Sequence, residues 1–328
     1  MQSRFKASFK ILLTGTLMLA GAAMAQSFPI KPVSLMVPYP AGGPSDSAAR
    51  VVSTPMSKHL GQQVLVENLG GASGTIAAQK VLAAPADGYY VFLGGPNEVI
   101  LAPLANAAIK LRAEDFRLVQ PMAGAVMVLV ARKDLPANNV DELVTLARKS
   151  ADKPLSYGSV GIGSLYHFML EDVQARTKTQ LTHVPYKGNA PLVQDLGGGQ
   201  VDFAVLVYNT AMGALAEQGR MKILAQFGAQ RNEQLSKVPT VAESKELKGM
   251  TYSTWSGFMV SKNTPEPVVQ RLHDAFVKTL QEPAVVASLA EQAQIASSAM
   301  SSADATKYFE SQVALYRGLA KQIGLQPQ

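Results

Sequence analysis

Three times within its first hundred residues the chain delivers a short apolar segment into glycines and then into a helix-spaced pattern. PVSLMVPYP leads into AGGPSDSAAR, QVLVEN leads into LGGASGTIAAQKVLAA, and GYYVFLGG ends on two glycines of its own. Ala48, Val51, Val52, Met56 and Leu60 fall on one face of a helix over 45–60, which Gly61 closes. Repeated strand, glycine turn and helix specify a mostly parallel sheet, whose ligands sit beyond the carboxyl ends of the strands. The three turns are therefore expected on one edge of one sheet.

The rhythm restarts after EDFRLVQPMAGAVMVLVARKDLP. A helix over 140–150, the strand LSYGSV, the turn GIGS and the helix LYHFMLEDVQARTK form the start of a second α/β unit, continued by THVPYKG, NAPLVQDLGGG, VDFAVLV and MKILAQF. YSTWSGFMVSK (252–262) is a strand leaving that unit. Pro265 and Pro267 then open a helix carrying Val268, Leu272, Phe276 and Leu280 on one face. The chain is thus expected to cross to a second lobe near Met127 and return near Tyr252. Lobe 1 would comprise 26–127 with 250–328, and lobe 2 would comprise 128–249. A single large sheet is the alternative, since 328 residues suit either arrangement.

The amino terminus carries a separate signal. Arg4, Lys6 and Lys10 precede the uncharged run ILLTGTLMLAGAA, and Ala23-Met24-Ala25 is a small-x-small cleavage site before Gln26. Residues 1–25 are therefore expected to be a secretory signal peptide, the run being short for a bilayer-spanning helix of about 20 residues. Its removal lowers the formal charge from +6 to +3. With no clustered basic residues, this balance gives no footprint for nucleic acid. The absence of cysteine excludes disulfides, thiolate catalysis, thiolate metal sites and a lipid anchor after the apolar run.

Glycine turns at helix starts have a specific chemistry. The first N–H groups of a helix lack intrahelical partners, and the peptide dipoles add about half a positive charge there. Glycine lets an anion approach them without an intervening side chain. The turn Ala41, Gly42, Gly43 up to Asp46 is suited to hold a carboxylate on main-chain donors, with Asp46 either capping its own helix or orienting a cation or waters. Ser73 and Thr75 offer hydroxyls at the second turn and Asn97 an amide at the third, each equally a cap or turn residue. In the second unit, Ser159, Gly161, Ser164 and His167 surround VGIG; Lys187 and Gly188 form a cationic open turn; Tyr208 and Asn209 end a strand. His167 could be structural, Lys187 a solvated charge, and Tyr39 and Tyr208 packing residues.

Enzyme signatures are missing. No G-x-x-x-x-G-K-[ST] occurs, GIGSLY has Tyr166 where a dinucleotide fingerprint needs its third glycine, and Ser73, Ser159 and Ser164 all fail G-x-S-x-G. His59, His167, His183 and His273 lack paired metal spacing. No cofactor or metal is expected.

The segments VPYPAGGPSDSAAR, VENLGGASGTIAAQKV, APADGY, HVPYKGNAPLVQDLGGGQVDF, KVPTVAES and TWSGFMVSKNTPEPVVQRLH, in this order, resemble the tripartite tricarboxylate transporter receptors, the Bug or TctC-like extracytoplasmic solute-binding proteins. The resemblance covers essentially the whole mature chain. It implies a two-lobed α/β periplasmic binding-protein fold of type II with the ligand cleft between the lobes. It also implies a site that holds a ligand carboxylate through backbone groups and two waters. The family's turns match Pro40 to Asp46, Gly71-Ala72-Ser73-Gly74-Thr75, and Ser159 to His167. LGGAS replaces the frequent RPGAG, and AVLVYNTAMG replaces an acid- or amide-rich edge, so ligand identity does not transfer.

The expected protein is a monomeric periplasmic receptor, not an enzyme, that captures a small carboxylate (a dicarboxylate, an aromatic acid or an acidic amino acid) for a membrane permease. A ligand sensor feeding a membrane signalling system and an exported enzyme on a carboxylated substrate are the rivals. The sensor would abolish induction but not uptake when deleted; the enzyme would turn its acid over and need a cleft base of perturbed pKa.

Overall fold

The β1 strand (Val33–Val37) is apolar at nearly every position because both faces of its sheet are covered. Val33, Leu35 and Val37 join one buried cluster and Met36 another, on opposite sides of the pleat. In the computed structural model, which describes residues 28–322, β1 pairs in parallel with β2 (Val64–Asn68) and β3 (Tyr90–Gly94). The expected signal peptide lies outside the described residues.

The crossovers are helices α1 (Pro44–Leu60) and α2 (Thr75–Ala83). Helix α1 buries Ala48, Ala49, Val52, Met56 and Leu60, and Gly61 ends it in the left-handed conformation (φ 73°) with its N–H on Ser57 O at 2.9 Å. After the short helix α3 (Ala102–Ala105), β4 (Phe116–Ala125) runs up the sheet, and Val126 alone separates it from β5 (Met127–Arg132).

β5 belongs to a different sheet. With α4 (Val140–Lys149), β6 (Leu155–Ser159), α5 (Leu165–Thr177), β7 (Leu181–Pro185), α6 (Asn189–Gly197), β8 (Phe203–Val207), α7 (Thr210–Glu217) and β9 (Met221–Gln226) it builds a five-stranded sheet of order β7-β6-β8-β5-β9. The chain returns through 227–253 into β10 (Thr254–Ser261), which inserts antiparallel between β3 and β4. Helices α8 (Glu266–Gln281) and α9 (Pro283–Glu291), strand β11 (Gln294–Ala296) and helix α10 (Ser302–Gln322) complete the first unit, whose six strands run β11-β4-β10-β3-β1-β2. One sheet thus draws on 33–125 and 254–296, the other on 127–226.

Candidate ligand-binding site

The turn between β1 and α1 leaves its helix start uncapped. Gly42 takes a left-handed conformation (φ 82°), and Gly43, extended at φ −86°, occupies the N-cap position without a side chain to fill it. Pro44, the first helical residue, has no N–H. The first main-chain bond of the helix is Ser47 N to Gly43 O at 3.0 Å, so the Ser45 and Asp46 amides have no intrahelical acceptor. One oxygen of the Asp46 carboxylate is engaged locally: Oδ2 accepts from the Gly42 amide at 2.9 Å and Arg50 Nε at 3.1 Å, while Oδ1, ion-paired with Arg50 Nη2 at 3.0 Å, has no hydrogen-bond partner among the described residues. Burial acts to raise its pKa, but the bonds from Arg50 and Gly42 prevail and hold it below the usual carboxylate range.

The second turn is wound through four successive positive-φ residues, Gly71 (127°), Ala72 (45°), Ser73 (53°) and Gly74 (87°). Such a path is unfavourable for alanine and serine and persists only where surroundings impose it. Here Ser73 Oγ donates to Ile162 O at 2.7 Å, a bond from the first unit to the second. Thr75 turns inward, donating to Ala72 O at 2.8 Å.

The third turn supplies a polar chain. Gly95 N donates to Glu98 Oε2 at 2.7 Å, the Tyr39 hydroxyl donates to Glu98 Oε1, and Asn97 Nδ2 donates to the Tyr39 hydroxyl at 3.2 Å. Asn97 Oδ1 accepts the Leu165 amide of the second unit at 2.7 Å. Glu98 is only 2% exposed, and this burial raises its pKa to about 7 against the lowering effect of its hydrogen bonds. Burial, then the charge of Glu98, pushes Tyr39 up as well.

Glycines make the opposing contacts. A Cβ on Gly161 (φ 132°) would lie 2.4 Å from Ser73 Oγ, and one on Gly188 would lie 2.8 Å from Pro40 Cδ. Gly188 is the N-cap of α6, again with no side chain to cap the helix. Two adjoining cavities of about 60 and 30 Å³ lie along this seam and share Tyr39, Pro44, Ser45, Tyr166 and Val207. Asn97, Glu98 and Trp255 line the larger one; Pro40, Gly43 and Asn189 line the smaller. Larger hollows of about 520 Å³ beside the crossovers and about 600 Å³ beside α10 contain no uncapped helix start.

Of the residues singled out from sequence, Tyr39, Pro40, Gly43 and Asn97 line the crevice, Ala41 and Gly42 shape its turn, and Gly71 to Gly74, Gly161 and Gly188 form the seam around it. Others point elsewhere. The His167 ring stacks on His183 at 4.1 Å and its Nδ1 accepts the Gly163 amide at 3.2 Å, so it serves the second unit's own packing. Ser164 caps α5 through the His167 amide, and Ser159 Oγ bonds the Gly161 main chain and His183. The Tyr208 hydroxyl packs over Gly213 in a core cluster, and Asn209 caps α7 through the Met212 amide at 2.8 Å. Lys187 is an exposed charge.

Sequence reasoning passed over Ser45, Glu98, Asn189 and Trp255, which line the crevice with Tyr166. The available signal was Glu98, a lone carboxylate opening the apolar run VILAPLA. Trp255 gave none, because a tryptophan in a strand reads as core.

The sequence profile of the tripartite tricarboxylate transporter family receptor matches residues 48–325. Among solved structures, the periplasmic binding protein BugD superposes with a TM-score of 0.85 at 31% identity, covering 92% of this chain and 100% of its own. Rpa4515 of R. palustris with adipate gives the same TM-score, identity and coverage. MatC from Rhodopseudomonas palustris with bound malate gives a TM-score of 0.82 at 27% identity over 89% of this chain and 99% of its own. These matches agree with the paired sheets and the crevice between them. The chain belongs to the tripartite tricarboxylate transporter receptor family and is a two-lobed periplasmic solute receptor, not an enzyme.

Proposed function

We propose that this receptor captures a small organic carboxylate in the crevice at the start of α1 and presents it, as a monomer, to a membrane permease. The observation that carries this is the uncapped helix start at Gly43-Pro44, whose Ser45 and Asp46 amides lack intrahelical acceptors where the lobes meet. Backbone donors with a favourable dipole suit an anion and discriminate little against its body. Adipate and malate in two relatives support the class of ligand.

Within the described residues the lobes are assigned as 28–125 with 254–322 and 127–249, hinged at Val126 and in the stretch before Thr254; the expected boundary after 127 moves back because Met127 pairs with Val207 in the second sheet. Ligand contacts made from both sides would favour the closed arrangement, since only differential affinity shifts such an equilibrium. Tyr39, Pro40, Gly43 and Asn97 contribute from lobe 1; Gly161 and Gly188 allow the lobes to approach.

Calorimetry and thermal shift against small mono-, di- and tricarboxylates, aromatic acids and acidic amino acids test the reading. A binder at about a hundredfold excess over Kd should stabilise the protein by about 2.7 kcal/mol. Saturable binding of a carboxylate is expected. Exclusive binding of cations or neutral solutes would overturn it.

A further inference from the structure

The indole N–H of Trp255 is buried and has no hydrogen-bond partner among the described residues. Trp255 is 7% exposed, stands at the start of β10, and lines the larger cavity of the crevice together with Glu98 and Asn97. Tyr308 and Phe309 of α10 pack edge-on against its ring, at 5.6 and 6.3 Å between centroids. Buried tryptophan N–H groups usually find an acceptor, because an unmade bond leaves the full desolvation cost in place. Indole nitrogen is a donor only, so the missing partner must supply a lone pair.

We propose that Trp255 is a specificity-determining residue whose indole N–H binds a second acceptor oxygen on the ligand, so that the receptor selects carboxylic acids carrying such an oxygen over simple monocarboxylates. The inference rests on the carboxylate reading of the crevice. One end of the acid meets the amides of Ser45 and Asp46; the other carries a carboxylate, carbonyl or hydroxyl oxygen to Trp255. A monocarboxylate of the same length satisfies the first contact and leaves the indole orphaned. Sites built around a buried polar group reject ligands lacking its partner more strongly than apolar pockets reject a change of size.

The protein contains a single tryptophan, so its fluorescence reports this group alone. Adipate, succinate and malate are titrated into the wild-type chain and Trp255→Phe, beside hexanoate and butyrate, which keep the chain but lose the second acceptor. The wild type should prefer the two-acceptor acids, and their binding should red-shift the tryptophan emission as the N–H acquires a partner. Trp255→Phe should reduce that preference by about tenfold, read as the ratio of two-acceptor to one-acceptor affinities within the variant. Equal wild-type affinity for the paired acids, unshifted emission on saturation, or a uniform loss in Trp255→Phe would each overturn the role of Trp255 with the carboxylate reading intact. Binding of none of the acids tried here or in the wider carboxylate screen would instead overturn that reading itself. The emission shift is read on the wild type, so the test does not depend on the variant folding.

Discussion

Asn97 of lobe 1 caps a helix of lobe 2: its Oδ1 accepts the Leu165 amide, the first of α5, at 2.7 Å. The helix already has its own cap, since Ser164 Oγ accepts the His167 amide at 3.3 Å. Asn97 therefore satisfies an orphan donor that Ser164 does not reach, and does so only when the lobes are together. Its Nδ2 ties the same contact to Tyr39 and through it to Glu98.

Asn97→Ala should therefore weaken ligand binding through the closed state. Loss of a helix cap costs about 1 kcal/mol, which corresponds to a roughly fivefold lower affinity expressed chiefly as faster release. Stopped-flow dissociation and calorimetry check this. An unchanged release rate would mean that the bond contributes nothing to closure.

Gly43→Val should remove binding while sparing the fold. Gly43 has ordinary extended dihedrals, and a Cβ there meets only Pro40 O at 3.6 Å. The helix loses a tolerated N-cap residue, a penalty of about 1 kcal/mol or less. The added methyls are expected to obstruct the approach of an anion to the amides of Ser45 and Asp46. Melting curves with and without ligand should show a small fall in Tm and the loss of the ligand-induced shift; a retained shift would place the carboxylate elsewhere.

The parts of the crevice that were legible in sequence are those encoded within a few neighbouring residues. Gly42-Gly43 before a helical pattern announces an open helix start, and Asn97 after Gly94-Gly95 marks another turn. Trp255 was illegible because it reaches the crevice from a distant segment, β10 having inserted beside β3, whereas Glu98 stood in the sequence as a lone carboxylate beside Asn97. The crossing expected near Met127 was read from the restarting rhythm rather than from the apolar stretch itself, in which Val126 stands between β4 and β5. His167, Tyr208 and Asn209 were correctly placed at strand and helix ends, but sequence does not say which way a side chain at such an end turns. Each turns toward its own lobe, where a stacking partner, a glycine surface or an orphan amide awaits it.

His183 should make the protein acid-sensitive. Burial, then the neighbouring His167, pushes its pKa down to about 3 from an ordinary 6.5. Tyr157 stacks against it at 4.9 Å, Ser159 Oγ lies 2.7 Å from its Nε2, and Glu171 approaches His167 from α5. A depressed folded pKa gives stability that is complete above about 6.5 and lost as pH falls toward 3. Urea melts of the wild type and His183→Gln between pH 7 and 4 should converge as the wild type loses this contribution. Parallel profiles would reject it.

Glu98 should act with the opposite sign. Its pKa stands at about 7 in the folded chain against 4.5 for the free group, because burial disfavours the charged form. The stability associated with keeping it neutral is complete below about 4.5 and is lost as pH rises through 7. The difference amounts to at most about 3 kcal/mol. Glu98→Gln preserves shape and removes the titration, so its stability should fall less than that of the wild type between pH 5 and 8. Equal falls would mean that Glu98 is not neutral in the folded state. The same group bears on binding, because an anion entering the crevice favours the protonated carboxyl. Above pH 7 the wild type should therefore take up a proton with its ligand, giving an affinity that declines with pH and a calorimetric enthalpy that depends on the ionisation heat of the buffer. Glu98→Gln should show neither effect, and proton uptake persisting in that variant would assign the linkage to another group.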